Sequence, residues 1–166
     1  MSEFRIRRGV AGDVAALNDL YNHYIRETPV TFDLEPISLA SKRAWFEQFG
    51  AEGRHQLFVA ERDGPVVGFA CTRPFRDKAA YDTTAETSIY LAPEAQGQGL
   101  GRQLYAQLIS ALSGADLHRL VAGITLPNDA SLALHERSGF RTIGVFHEVG
   151  RKLGRYWDVL WMEREL

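Results

Sequence analysis

Cysteine is scarce in this 166-residue chain, which contains only Cys71. One thiol cannot build an internal disulfide framework or a metal site made of several cysteines, and we expect no metal site. Cys71 lies within the apolar stretch 66–71, so we expect it to be a buried structural thiol rather than a nucleophile.

Long apolar runs and an excess of either charge are also missing. No stretch approaches the roughly 20 apolar residues of a membrane span, and the alternating start Phe4-Arg5-Ile6-Arg7 lacks the apolar core of a signal peptide. The net charge is −2, whereas proteins that bind nucleic acids are normally basic. We therefore expect a cytoplasmic protein whose partners include neither a membrane nor a nucleic acid.

The chain does contain enough apolar material for a folded core. Hydrophobic residues make up 45% of it, including nine Phe, six Tyr and three Trp, which argues against disorder. A chain of this length normally folds as one domain, so a single domain over 1–166 is predicted.

Apolar periodicity predicts an alternation of strands and helices. Leu100, Leu104 and Leu108 recur at every fourth position of a helix, and Asp63-Gly64 between two apolar runs is typical of a β-hairpin turn. Helices are predicted from 12 to a break at 28–32, over 38–49, over 100–112 and over 128–137. Strands are predicted at 4–8, 57–61, 66–73, 86–91, 119–124, 142–147 and 157–163. This order indicates an α/β (α+β) fold with a mixed, mostly antiparallel sheet flanked by helices.

A glycine-rich segment joins the predicted strand 86–91 to the helix that starts at Leu100: residues 96–101 read Gln-Gly-Gln-Gly-Leu-Gly. Free backbone N–H groups at such a junction, together with the positive end of the helix dipole, bind anions such as a pyrophosphate. Gly101 is followed by Arg102-Gln103 rather than Lys-Ser/Thr, so the segment is not a Walker loop. It also lies too late in the chain to open a doubly wound dinucleotide-binding domain.

Three polar residues around this segment each have a structural as well as a functional interpretation. Glu86, at the start of the strand, is either a solvated strand end or a functional carboxylate. Asn128 can be an ordinary helix cap, and His135, alone on its helix, can be a surface or core histidine. Taken singly, the residues leave these alternatives open.

Taken together, the segments resemble a known site. Gln96-x-x-Gly99-x-Gly101 and Asn128-x-x-Ser131-x-x-x-His135-x-x-x-Gly139-Phe140 resemble the acetyl-CoA site of the GNAT superfamily of N-acetyltransferases. Further segments are similar to its phosphinothricin and methionine sulfoximine N-acetyltransferase branch, among them Asn22-His23-Tyr24-Ile25, Glu35-Pro36, Ala80-Tyr81-Asp82, Leu126-Pro127 and Trp157-Asp158. The resemblance implies the GNAT acyl-CoA N-acyltransferase fold, acetyl-CoA as acetyl donor without a metal, and a homodimer.

The resemblance also implies roles for individual residues. Glu86 matches the general base that deprotonates the acceptor amine, and we expect burial to raise its pKa. His135 matches the group beside the leaving thiolate, where an imidazolium would donate a proton or stabilise the sulfur. The acetyl-CoA-binding positions are matched by Ile89, Tyr90 and Leu91 on the strand, by Gln96, Gly97, Gln98, Gly99, Leu100, Gly101 and Arg102 at the loop and helix start, and by Asn128 and Ser131.

Three cations, Arg73, Arg76 and Lys78, lie within six positions of the loop before Glu86 and are candidate acceptor-binding residues. The resemblance matches Arg76 and Lys78 to cations that hold an acidic acceptor, and it matches Phe32, Tyr81 and Tyr105 to aromatic residues of the acceptor pocket. Cations beside aromatic walls favour an anionic amino acid. We therefore expect direct acetylation of the α-amino group of a small amino acid or glutamate analogue, such as phosphinothricin, methionine sulfoximine or methionine sulfone. Thr83 stands where close relatives have tryptophan, which leaves the side-chain preference open. The alternatives are another amine, such as a polyamine or a protein N-terminus, and an acyl-CoA-binding sensor without turnover.

Overall fold

The computed structural model describes residues 4–166, and its elements follow the predicted order. Positions 1–3 of the predicted domain lie outside the described residues. The strands are β1 (Arg5–Arg8), β2 (Leu57–Glu61), β3 (Val66–Pro74), β4 (Thr84–Leu91), β5 (Arg119–Thr125), β6 (Arg141–Lys152) and β7 (Arg155–Glu165). The helices are α1 (Val14–Glu27), α2 (Leu39–Phe46), α3 (Leu100–Ala111) and α4 (Asp129–Arg137), with short 3₁₀ turns at 11–13, 79–81 and 93–95.

The described strands form one seven-stranded sheet in the order β1-β2-β3-β4-β5-β7-β6. Neighbouring strands are antiparallel except β4 and β5, which pair in parallel and only over Thr84–Glu86 against Arg119–Val121. The predicted mixed, mostly antiparallel sheet flanked by helices is confirmed.

Strands β4 and β5 separate beyond Glu86 and leave a gap in the sheet, which we call the β4–β5 wedge. β5 continues to pair with β7 as far as Thr125, whereas the rest of β4 pairs only with β3. Because alternate residues of a strand turn their backbone N–H and C=O groups to opposite sides, residues 87–91 present some of these groups to the wedge. An extended ligand could bind there.

The sheet is covered on both faces by apolar side chains of the helices. On one face α3 packs its buried Leu100, Leu104 and Leu108 against β2 and β3, which confirms the periodicity of the sequence. On the other face α1 and α2 pack against the side chains around Cys71, which is only 1% exposed, as expected of a structural thiol. Within residues 4–166, no helix is long and apolar enough to cross a membrane.

Two elements differ in length from the prediction. Helix α2 ends at Phe46 instead of 49, because the N–H groups of Gln48 and Phe49 turn back to carbonyls three residues earlier, as in a 3₁₀ turn. The β6–β7 hairpin is longer than predicted at its turn end. A bulge around Glu148 interrupts its alternation, and the Asp158 carboxylate accepts the Glu148 N–H at 2.7 Å. Because a bulge shifts which residues face inwards, the outer half of the hairpin does not look like a strand in the sequence.

Candidate active site

A cavity of about 430 Å³ lies at the β4–β5 wedge, and we call it the wedge cavity. Its walls come from the loop after α1, from β3, β4 and β5, from α3 and α4, and from the β6–β7 hairpin. Both residues that the sequence indicated as catalytic, Glu86 and His135, line it. The described residues include no group of three or more His, Cys, Asp or Glu side chains arranged to hold a metal ion.

Glu86 is half-buried on β4, directly opposite Arg73 on β3. Burial penalises the charged carboxylate and raises its pKa above the ordinary value, while Arg73 and Arg76 act in the opposite direction. The expected rise in pKa is confirmed, and it makes the carboxylate a better proton acceptor. Because Glu86 also faces the cavity, the structure favours a functional carboxylate over a solvated strand end.

His135 is buried, and both of its ring nitrogens are engaged. Nδ1 lies 2.7 Å from the carbonyl oxygen of Ser131, to which it donates, and Nε2 lies 2.9 Å from the hydroxyl of Tyr105. Burial lowers the pKa of His135, with the Ser131 carbonyl opposing the shift. The ring is therefore neutral near pH 7, with Tyr105 donating to Nε2 as the network requires. The imidazolium that we expected from the sequence is disfavoured.

The N-terminus of α4 places two further predicted residues at the wedge cavity, Asn128 and Ser131. Asn128 caps the helix, since its Oδ1 accepts the N–H of Ser131 at 3.1 Å. The structural and the functional interpretation of Asn128 are therefore compatible: the cap holds the residue in place, and its side chain faces the cavity.

The glycine segment has the backbone geometry of an anion site. Gly97 and Gly99 adopt left-handed φ angles of 71° and 77°, with no atom within 4 Å of an added Cβ, so glycine is required for conformation rather than for space. Gly99 precedes α3 without a side-chain cap, and the N–H groups of 100–102 have no acceptor among the described residues. Gly101 serves packing instead, because an added Cβ would lie 3.1 Å from Leu134 of α4.

The glutamines of this segment use their side chains within the protein. Gln96 donates to the Tyr24 hydroxyl at 3.1 Å, and Gln98 donates to the Glu94 carbonyl at 2.7 Å and accepts from Arg62 at 2.5 Å. The backbone groups of these glutamines remain available to a ligand. The side chain of Arg102, in the first turn of α3, is exposed.

The strand positions predicted to bind acetyl-CoA divide into two groups. Ile89 and Tyr90 line the wedge cavity. The Leu91 carbonyl instead accepts the hydroxyl of Tyr24 at 2.6 Å, so this oxygen already has a partner on α1.

The residues predicted to bind the acceptor also divide into those that line the wedge cavity and those that do not. Phe32, Arg73 and Tyr105 line the wedge cavity. Arg76, Lys78 and Tyr81 are exposed and do not line it. Arg76 and Tyr81 contact Phe75, whose ring lies 6.0 Å from that of Trp161 in the cavity wall, so they are one layer removed from the cavity.

Sequence reasoning missed Lys42, although a signal for it exists. Lys42 occupies an apolar-face position of the predicted helix 38–49, three residues after Leu39 and three before Trp45. It is 2% exposed, and its Nζ lies 4.1 Å from the ring centre of Tyr21 and 4.2 Å from that of Trp45. A lysine on the apolar face of a helix is the pattern that could have revealed it.

The contribution of the β6–β7 hairpin was also missed, and here the sequence contains no signal. The Lys152 ammonium donates to the Thr31 carbonyl at 2.6 Å, which ties the hairpin to the loop after α1. The ring of Phe32 lies against Gly150, where an added Cβ would be 2.1 Å from Phe32 Cε2. Trp161 of β7 completes this wall.

Comparison with known proteins shows which family the chain resembles. The pattern of the acetyltransferase (GNAT) family matches residues 17–140. A phosphinothricin N-acetyltransferase from Streptomyces coelicolor is 50% identical over 99% of this chain and 98% of its own length. An L-methionine sulfoximine/L-methionine sulfone acetyltransferase from Pseudomonas aeruginosa is 33% identical over 97% of this chain and 94% of its own. The structure of a GNAT superfamily phosphinothricin acetyltransferase from Sinorhizobium meliloti in complex with acetyl-CoA has a TM-score of 0.93 at 31% identity, covering 100% of this chain and 89% of that one. The resemblance seen in the sequence is confirmed, and the chain belongs to the GNAT family of acetyltransferases and is an N-acetyltransferase.

Proposed function

We propose that the chain uses acetyl-CoA to acetylate the α-amino group of a small amino acid or glutamate analogue, in the class of phosphinothricin, methionine sulfoximine and methionine sulfone. The amine attacks directly, with Glu86 as general base. The observation that carries the proposal is Glu86 itself, a half-buried carboxylate of raised pKa on the wall of a cavity where two strands separate. The names of the relatives support the acceptor class.

Glu86 supplies the step that the acceptor needs first. An α-amino group is largely an ammonium ion at neutral pH and cannot attack before it loses a proton. A carboxylate of raised pKa is better matched to that proton transfer than an ordinary glutamate. Cys71 offers no competing covalent route, because burial raises its pKa to about 12 and keeps the thiol protonated.

The residues that would hold acetyl-CoA are mostly backbone. Acetyl-CoA supplies the acetyl group as an activated thioester. The unpaired N–H groups of 100–102 and the backbone of the glycine segment fit a pyrophosphate, and the exposed Arg102 can add a charge-assisted contact. Ile89 and Tyr90 fit the amide-containing arm, which can pair with β4 as an added strand would. Asn128 and Ser131 line the same cavity from α4.

We propose that His135 stabilises the leaving sulfur and does not protonate it as a general acid. Its ring is neutral, so it has no cationic proton to give near pH 7. Through its hydrogen bond it holds the Tyr105 hydroxyl at the cavity wall, between itself and Thr87 at 3.2 Å. We therefore propose that His135 and Tyr105 shape the polar wall beside the leaving sulfur.

Arg73 and Phe32 favour an acidic or polar amino acid as acceptor. Arg73 places a cation in the cavity wall opposite Glu86, and it would repel a polyamine. Arg76 and Lys78, which are exposed outside the cavity, can attract an anionic acceptor to it. The aromatic ring of Phe32 provides the apolar part of the wall.

A thiol-release assay with acetyl-CoA tests the proposal. The acceptors are phosphinothricin, methionine sulfoximine, methionine sulfone, the common amino acids, a polyamine and a peptide with a free N-terminus. We expect release with one of the amino acids or analogues. Glu86→Gln should lower turnover about 100-fold or more, as expected for loss of a general base, while calorimetry shows unchanged acetyl-CoA binding.

Glu47→Gln is the matched control, because Glu47 is an exposed glutamate at the end of α2. It makes the same change of charge away from the cavity and should leave turnover unchanged. Full turnover in Glu86→Gln would remove Glu86 from the mechanism. Tight acetyl-CoA binding without thiol release for any acceptor would favour the sensor alternative.

We also propose that the chain forms a homodimer through the β6–β7 hairpin. β6 is the outer strand of the sheet, and the hairpin exposes five apolar side chains by more than half: Ile143, Phe146, Val149, Leu153 and Tyr156. Exposed apolar side chains concentrated on an outer hairpin are typical of an interface, and two of them, Phe146 and Val149, also line the wedge cavity. Light scattering should give twice the mass of one chain, and Ile143→Lys should shift it towards one. A monomeric unsubstituted protein would contradict the proposal.

The cytoplasmic location stays a prediction.

A further inference from the structure

Lys42 on α2 is a buried cation that the mechanism above does not use. It is 2% exposed, and its ammonium lies over the rings of Tyr21 and Trp45. Within residues 4–166 the ammonium makes no ion pair and no hydrogen bond, although it carries three N–H donors. The two cation–π contacts offset only part of the free-energy cost of removing the ammonium from water. An anionic partner would offset more of this cost.

The Lys42 ammonium faces a small cavity of about 30 Å³, which we call the Lys42 cavity. Arg73, Ser88 and Tyr90 line both this cavity and the wedge cavity, so the two adjoin. The volume suffices for about two water-sized groups, which is the size of the two oxygens of a carboxylate or phosphinate.

The Lys42 cavity lies along the strand from the proposed base. Glu86 and Ser88 are two residues apart on β4 and point to the same face, and their partners on β3 are Arg73 and Cys71. Two residues of a strand span about 6.7 Å. A glutamate-like amino acid whose amine lies at Glu86 can extend its side chain over this distance, so that its far end reaches the Lys42 cavity.

We propose that Lys42 and Arg73 form a subsite for an anionic group at the end of the acceptor side chain. The inference rests on the proposed function and narrows it: the acceptor is a glutamate-like amino acid whose distal phosphinate or carboxylate binds at the Lys42 cavity. Both cations can donate charge-assisted hydrogen bonds to the same anion. A neutral analogue of similar length, such as methionine sulfone, leaves the ammonium without a counter-charge and binds more weakly.

The protonation of Lys42 is consistent with this role. Burial lowers its pKa to about 8, Arg73 adds to the lowering, and Asp33 opposes it. The charged and titratable groups facing it are Tyr21 from α1, Asp33 from the loop after α1, Cys71 and Arg73 from β3, and Tyr90 from β4. At pH 7 the ammonium form predominates, and the charge is lost as the pH rises through about 8. The preference of the site for an anionic acceptor should therefore decrease as the pH rises through about 8.

Calorimetry on the coenzyme A complex tests the subsite without requiring turnover. The probes are phosphinothricin, whose distal group is anionic, and methionine sulfone, whose distal group is neutral. The unsubstituted protein should prefer phosphinothricin. Lys42→Met should weaken phosphinothricin binding about 10- to 100-fold and change methionine sulfone binding less than about twofold, because only the charge-assisted contact is lost. Lys42→Arg, which keeps the cation, should retain most of the preference.

Arg43→Met is the matched control, since Arg43 is the next residue of α2 and is exposed. It removes the same charge and should change neither affinity. A second measurement needs no variant: the ratio of the two affinities in the unsubstituted protein should decrease as the pH rises through about 8.

Three results would overturn the subsite. The first is an unsubstituted protein without preference between the probes, or one that binds neither. The second is a preference that survives Lys42→Met, which would leave Lys42 a packing residue. The third is an equal loss of affinity for both probes in Lys42→Met. These results are separate from the failure of the proposed function, which is the absence of thiol release with every acceptor.

Discussion

The contact between Gly150 and Phe32 allows the acceptor wall to be changed without touching the proposed base. Gly150 lies on β6, and a Cβ added to it would be 2.1 Å from Cε2 and 2.4 Å from Cζ of Phe32. Real Cβ atoms never approach a ring so closely, so in Gly150→Ala either the ring or the hairpin must move. Phe32 is 36% exposed, so its ring can swing outwards and leave the wedge cavity.

The size of the effect follows from the area that the ring loses. Full burial of a phenylalanine contributes about 1.5–3 kcal/mol, and Phe32 is about two-thirds buried, so its displacement should cost about 1–2 kcal/mol. Where the wall contacts the acceptor, this cost corresponds to a rise of about 5- to 30-fold in the acceptor KM. Loss of the same contact in the free protein should lower the Tm by about 2–8 °C.

Steady-state kinetics with the two substrates varied separately provides the assay. The acceptor KM should rise in Gly150→Ala while the acetyl-CoA KM stays constant, since Phe32 does not belong to the glycine segment. Gly144→Ala is the matched control, because Gly144 lies on the same strand with no atom within 4 Å of an added Cβ. An unchanged acceptor KM in Gly150→Ala, with the lower Tm present, would refute the assignment of Phe32 to the acceptor wall.

Three further changes test other parts of the site. Because burial raises the pKa of Glu86, the folded state disfavours its ionised form at neutral pH; Glu86→Gln should therefore raise the Tm at pH 7, and the gain should vanish as the pH falls below 4.5, the ordinary value for glutamate. An equal gain at pH 7 and at pH 4 would contradict this. Gly99→Ala should weaken acetyl-CoA binding about fivefold or more by calorimetry, because a left-handed φ costs about 1–2 kcal/mol for any other residue, whereas Gly12→Ala, in the 3₁₀ turn before α1, should not change it. Tyr105→Phe should lower the free energy of unfolding by about 1–3 kcal/mol in urea, since Nε2 of His135 loses its donor in a buried site. A Tyr105→Phe protein of unchanged stability would show that the hydrogen bond contributes nothing.

The sequence alone predicted the features that depend on near neighbours in the chain. The order of strands and helices, the buried face of α3 and the burial of Cys71 follow from apolar periodicity, which is a local property. The glycine segment was recognisable for the same reason, because left-handed φ angles and a free helix start are settled by adjacent residues. Glu86 and His135 were found by motif, and both line the cavity.

Tertiary structure decided which of these residues can act together. Arg73, Arg76 and Lys78 look alike in the sequence, yet only Arg73 lines the cavity, because the strand ends at Pro74 and the chain then turns outwards. The neutral state of His135 depends on burial and on a hydroxyl 30 residues away, neither of which a local pattern records. The role proposed for Lys42 depends on the tertiary structure, because α2 places its ammonium over β3 and β4 beside Arg73. Charges and cavities are set by neighbours in space, and the chain brings these together only when the sheet has formed.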